Sequence, residues 1–510
     1  MPRSITTHIL LFSLCILLLS SCSPQAPIPA VFTATPPPPP TEVPPTSPSL
    51  PTATPTAVAT VTPELERPQY ALDLQLNYSA KVATVNETIT YPNWTGEALN
   101  NLVLAVEPNL WSGGFSLKSL AIDNQPITNY TLENLSQRLE IPLSQPLQPS
   151  ATLTIMITYG LILPQMQAYS NPNEVRPQIY GYSEKQVNFV EWYPFVVPYI
   201  PGQGWLLHNP WFYGEHLVYD SADFDVKVTF MDGANPQIAA SGAEVKPELA
   251  DVTPTGVVSH HFVLEEGRTF ALSISDFFKV ATQTVGEVTV YAYYFGVYNA
   301  SGEALLQTTV EAMQTYSEKF GPYRHKTLTA VQGDFNDGME FSGLYFISRD
   351  YFNLYDGTSK NYLVTIAAHE TAHQWWFDAV ANDQALEPWL DEALATYSER
   401  IYYETVYPDF VDWWWGYRYF EFLKAGDVDT QIYDGGGQRP YWDKVYLTGA
   451  RFLEDLRQRV GDETFFAFLK DYYTQYTGKR ATSADFFRVF HEHTATDITD
   501  LIAKYFKNSY

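Results

Sequence analysis

Residues 369–373 read His-Glu-Thr-Ala-His and sit inside Thr365–Phe377, a stretch without Gly or Pro whose pattern predicts a helix. Two histidines four positions apart share one helix face with about 5–6 Å between their β-carbons, so both imidazoles can reach one metal ion. Glu370 then points elsewhere and is free to act on a water at the metal. A hydrolytic metal centre needs a third protein ligand if a fourth position is to stay open for water. Glu392 is the candidate, in Pro388-Trp389-Leu390-Asp391-Glu392-Ala393. Pro388 suits the first turn of a second helix, and Ala379–Glu387 can reverse the chain so that this helix lies beside the first. No Gly or His stands where a third imidazole ligand would be expected after His373, which favours carboxylate ligation.

The surroundings predict a two-part fold. From Tyr70 the chain alternates apolar and polar residues, with Tyr70, Leu72, Leu74, Leu76 and Tyr78 on one side, and Phe224, Val226, Val228 and Phe230 repeat the period of a half-buried strand. Turn signals punctuate β-rich runs up to about Phe295. At Ser301, an expected N-cap, the period becomes helical through Leu305, Leu306, Val310, Met313 and Tyr316. A strand at Lys326–Gln332 leads to Asp337–Phe346, and helical patterns follow. Strands first and helices later give an α+β chain, with an antiparallel β-rich domain at 68–296 and a mostly helical domain at 297–510.

Of the 510 residues, 57 are acidic and 30 basic, a formal charge of −27, which argues against nucleic acid as a partner. Two cysteines exclude a disulfide framework. The apolar run Ile9–Leu19 has the length of a signal-peptide core and is too short to span a bilayer. It ends in Leu19-Ser20-Ser21-Cys22, which resembles the lipobox of bacterial lipoproteins, so residues 1–21 are expected to be a signal peptide and Cys22 a lipidated N-terminus. Residues 24–63 carry 14 of the 36 prolines, with Glu42 the only charge, and 22–67 is therefore expected to be an extended stalk. Together these place the globular part outside the cytoplasm at the cell envelope, anchored to a membrane.

His369–His373 with Trp375, followed by Trp389–Ala393, resembles the zinc signature of the aminopeptidase N family of gluzincins, which includes leukotriene hydrolase. Asp337-Gly338-Met339-Glu340-Phe341 resembles the family's Gly-Ala-Met-Glu-Asn strand, and Val445–Ala450 the segment that carries its catalytic Tyr. The resemblance covers about residues 68–510. It implies a saddle-shaped β domain, a thermolysin-like catalytic domain, and one Zn²⁺ on His369, His373 and Glu392. It further implies Glu370 as general base and acid, Tyr446 on the oxyanion, and Gly338, Met339 and Glu340 binding the substrate, with Glu340 on its free α-amine. Glu399, seven residues beyond Glu392, matches a family acid that orients a zinc ligand from behind. Phe341, Thr448, Asp391 and Ala393 depart from the usual Asn, Lys, Asn and Gly, and bear on specificity more than on chemistry. The family's large C-terminal helical domain is expected to be missing.

The resulting expectation is a lipoprotein zinc aminopeptidase acting on peptides. The alternatives are an oligo- or endopeptidase with an open cleft and a non-catalytic surface peptide receptor. A residue of the β domain should help Glu340 hold the amine, with Glu184, Gln186 and Glu191 as equal candidates. Trp413, Trp414 and Trp415 are expected to pack rather than line the cleft. His260, His261, His491 and His493 are assigned no chemistry.

Overall fold

The computed structural model describes residues 67–166, 178–245, 258–419 and 426–510. The signal peptide, Cys22 and nearly all of the stalk lie outside the described residues. Among the described residues no helix is long and apolar enough to cross a membrane.

Strand periodicity in the first half becomes an eight-stranded sheet. Its order is 243–244, 258–267, 222–230, 69–77, 82–92, 152–162, 115–122 and 125–126. The neighbours are antiparallel except for Gln69–Asn77 and Ala222–Phe230, which run parallel with Tyr70 opposite Phe224 and Leu72 opposite Val226. That register stacks the two apolar faces predicted from sequence: Tyr70, Leu72, Leu74 and Leu76 are buried with Phe224, Val226, Val228 and Phe230. Full burial of a large apolar side chain contributes roughly 1.5–3 kcal/mol, and a one-residue slip of either strand would turn its four to solvent. Two four-stranded sheets and a two-stranded ribbon, 199–200 with 204–205, complete the described part of this lobe.

A five-stranded sheet leads into the second half. Its order is 278–285, 288–295, 327–332, 344–347 and 339–341, so the strands on either side of position 296 belong to one sheet. Met339–Phe341 lies at its edge. Helix Asn299–Lys319 packs on it, starting two residues before the expected cap. Ser301 is instead buried in the first turn, its hydroxyl donating to the Phe352 carbonyl.

Helix Tyr362–Ala372 packs against the strands 344–347 and 339–341, and helix Trp389–Val406 packs against that helix. The first begins earlier than the sequence pattern implied because the Asn361 side chain caps it, accepting from the Val364 N–H at 3.2 Å. It also ends earlier, at Ala372, although no breaker follows. The chain turns through 373–378 with Phe377 at φ +148°, and a residue of the other lobe holds this turn. Arg268 is 3 % exposed and donates to the carbonyls of Phe377, Asp378 and Ala379 as well as Tyr219 and Lys479, at 2.8–3.2 Å. Tyr316 joins the two helices, its hydroxyl lying 3.0 Å from the Ala368 and Ser398 carbonyls.

Candidate metal centre

The two helices place three buried donor atoms in a triangle. His369 Nε2 and His373 Nε2 are 3.2 Å apart, and Glu392 Oε2 lies 3.3 Å from the first and 3.5 Å from the second. A tetrahedral ion with bonds of about 2.0–2.1 Å separates its ligand atoms by about 3.3–3.4 Å. The triangle is thus the size of one face of such a coordination shell.

The ring nitrogens turned away from the triangle are fixed. His369 Nδ1 lies 2.9 Å from Glu399 Oε1, and His373 Nδ1 lies 3.0 Å from the Trp376 carbonyl, an arrangement that selects the tautomer and leaves Nε2 to bind metal. Glu399 also accepts from Trp414 Nε1 at 2.9 Å and from Arg418 Nε and Nη2 at 3.1 and 3.0 Å. Burial would raise its carboxyl, but Arg418 and His369 hold it below the usual range.

Electrostatics favour a cation in the triangle. Burial opposes charge on Glu392, but hydrogen bonds to His369 and His373 hold its carboxyl well below the usual range. Burial also opposes charge on His373, yet Glu340, Glu392 and Glu370 carry it well above the ordinary imidazole value. Metal binding at such a site releases a proton. Glu370 behaves oppositely: burial, reinforced by Glu340, Glu392 and Asp337 and opposed by His373, pushes its carboxyl well up. Among the described residues its Oε2 has no hydrogen-bond partner.

These groups open into a cavity of about 190 Å³ whose lining includes Glu215, Glu340, Glu370, Arg418, Arg439 and Tyr446. Tyr446 stands on a widened helical turn, Asp443–Thr448, with its ring parallel to that of His369 and its hydroxyl donating to Glu392 Oε1 at 2.5 Å. Glu340 rises from the edge strand. Ligand atoms of Glu340, Glu370 and His373 lie within 4.8 Å of one another. Gly338 is required by proximity, since a β-carbon there would come 2.2 Å from Glu370 Oε1. Met339 lines both this cavity and a smaller one behind Glu340.

All the site residues named from sequence within the described chain therefore converge. Of the three β-lobe candidates, only Glu191 reaches the small cavity behind Glu340, at φ +50° and with the Tyr219 hydroxyl at 3.1 Å. Gln186 is used elsewhere, bonding Ser273, the Gln332 carbonyl and the Asp334 N–H, and Glu184 lines neither cavity. Trp414 is buried as expected of packing, but its indole N–H also holds Glu399. Sequence reasoning missed Glu215, Gln384 and Arg418. Gln384 donates to Glu340 Oε1 at 3.1 Å and falls in the segment read only as a chain reversal.

Residues 304–505 match the family model described as the peptidase family M1 domain. Aminopeptidase N of Lactococcus lactis is 22 % identical over 462 residues, 85 % of this chain and 50 % of that protein. Aminopeptidase M1-D of rice, Oryza sativa, is 24 % identical over 299 residues, 55 % of this chain and 33 % of that protein. The chain thus spans half or less of these curated relatives. A mutant M1 zinc metallopeptidase from Deinococcus radiodurans, solved with a Tyr-Ser-Ala substrate, superposes with a TM-score of 0.61 at 18 % identity, covering 87 % of this chain and 96 % of that one. Residues 304–505 thus match a peptidase family M1 domain, and the described chain shares the fold of the M1 zinc metallopeptidase from Deinococcus radiodurans.

Proposed function

We propose that the protein is a zinc aminopeptidase that removes N-terminal residues from peptides. The observation that carries this reading is the buried His369, His373 and Glu392 triangle, whose edges match one face of a zinc coordination shell. Zinc bound there supplies Lewis acidity to the scissile carbonyl and acidifies water. Glu370, its carboxyl pushed up by burial and unpartnered at Oε2, takes a proton from the attacking water and returns it to the leaving amine. Tyr446 exchanges its bond to Glu392 for one to the developing oxyanion. Glu340 pairs with the substrate ammonium and so fixes cleavage at the first peptide bond. Glu191 supplies a second acid from the β lobe.

A panel of free and N-acetylated peptides, read by mass spectrometry beside elemental analysis, tests this reading. One residue at a time should leave free peptides, with one zinc per chain. Internal cuts that ignore the N-terminus would establish an oligopeptidase, and absence of both zinc and cleavage a peptide receptor.

We further propose that the protein is a bacterial lipoprotein held at the cell envelope through Cys22. The support is the Leu19–Cys22 motif followed by a nearly uncharged Pro-rich stretch. One acyl chain binds a bilayer only marginally, so firm anchoring needs more than one on Cys22. Expressed in bacteria, the protein should fractionate with membranes and Cys22→Ser should not; a variant that stays in the membrane fraction overturns the anchor.

A further inference from the structure

Glu340 would have to hold an ammonium ion from an edge strand while surrounded by other acids. Glu191 and Glu215 line the small cavity behind it, and Glu370 lies on its metal side. A carboxylate so placed needs a donor to hold its orientation. Gln384 provides one: it is 3 % exposed and its Nε2 donates to Glu340 Oε1 at 3.1 Å. The donor comes from the loop between the two metal-binding helices and not from the β lobe. The same loop leads into the helix carrying Glu392, and Asp391 at its start accepts from the Glu392 N–H at 2.9 Å. Gln384 lies beside Asp391 as well as Glu340. One amide side chain thus spans the acid that faces the amine and the first turn of the helix that supplies the metal's carboxylate.

We propose that Gln384 is the positioning residue for amine recognition: by holding Oε1 of Glu340 it leaves Oε2 aimed at the substrate ammonium and sets the distance between that ammonium and the metal. This rests on the aminopeptidase reading. Gln384 touches neither the reacting atoms nor the metal, so its effect must pass through Glu340. An alternative in which Gln384 merely fills the loop predicts a cost that is independent of Glu340.

The test is a double-mutant cycle with Gln384→Met, which keeps the volume and removes the donor, and Glu340→Gln. For wild type, both single variants and the double variant, kcat and KM would be measured on an aminoacyl-coumarin amide with a free amine. Zinc retention against a competing chelator and thermal midpoint would be followed in parallel. Losing a hydrogen bond to a charged group should lower kcat/KM about 10-fold or more. In the Glu340→Gln background the same change should cost less than about 2-fold, while zinc retention stays at the wild-type level. Equal costs in both backgrounds, or loss of zinc in Gln384→Met, would overturn the assignment. Should Gln384→Met melt early, Gln384→Ala takes its place in the same cycle with the same criterion. The aminopeptidase reading fails separately: it falls if wild type leaves the substrate intact or if Glu340→Gln alone costs nothing.

Discussion

At the scale of single residues, the centre separates groups that hold the metal from groups that move protons. Glu370→Gln keeps the triangle intact and should retain zinc near one per chain, while losing about 10²–10⁴-fold in turnover because an amide cannot accept the water's proton. Glu392→Ala removes a corner of the triangle and should lose zinc outright. Glu399→Ala lies between them: His369 keeps its place on the helix but loses the acceptor behind it, so zinc affinity should fall about 10–100-fold. Elemental analysis after dialysis, combined with chelator competition, orders the three. The ligands were legible because their spacing along the chain is itself the geometry. Glu399 was legible only through the family resemblance; its place nearly two helical turns beyond Glu392 is consistent with that role but does not by itself assign it. Gln384 and Arg418 carried no such signal, since each meets its partner through a loop or turn whose path the spacing does not fix.

At the scale of elements, the edge strand Met339–Phe341 and helix Tyr362–Ala372 approach so closely that one methyl group decides whether Glu370 can occupy its place. Gly338→Ala would put a β-carbon 2.2 Å from Glu370 Oε1 and 3.2 Å from Ile366 Cγ2. The side-chain end of Glu370 can swing aside more cheaply than either backbone can move. The variant should therefore fold and bind zinc normally, with turnover reduced at least 10-fold; a midpoint unchanged by thermal melting beside a lowered kcat is the expected pair of results. Strand periods were read correctly for 69–77 and 222–230 because each buries one face. The end of the metal-binding helix was not, because nothing in Thr365–Phe377 stops it. The turn that follows it is held by Arg268, about a hundred positions earlier in sequence.

At the scale of the whole molecule, Arg324 ties the two lobes by donating to Glu266 Oε2 at 2.6 Å, and the buried acid beside it in the second half should answer to pH. Asp378 is buried with Oδ2 2.7 Å from His325 Nε2 and 3.9 Å from Arg324 Nη1. Burial alone would raise its carboxyl, but His325 and Arg324 hold it down to about 2, against an ordinary 3.8. A carboxyl lowered by folding stabilises fully above the ordinary value and loses that contribution as pH falls from about 4 to about 2. The shift corresponds to about 2 kcal/mol. Urea unfolding of wild type and Asp378→Asn should therefore converge by about that amount between pH 5 and pH 2. Arg268→Met takes the donor from the Phe377 and Tyr219 carbonyls, while Asp378 keeps Arg324 and Ala379 the Gly478 N–H, and should cost about 2 kcal/mol or more, with faster protease cutting near residues 377–379. The same guanidinium makes the chemistry hostage to a distant part of the chain. A single cut in the β-rich lobe that freed Arg268 would loosen the turn beyond His373 with every ligand side chain still present, so the metal centre can be disturbed without access to the cleft.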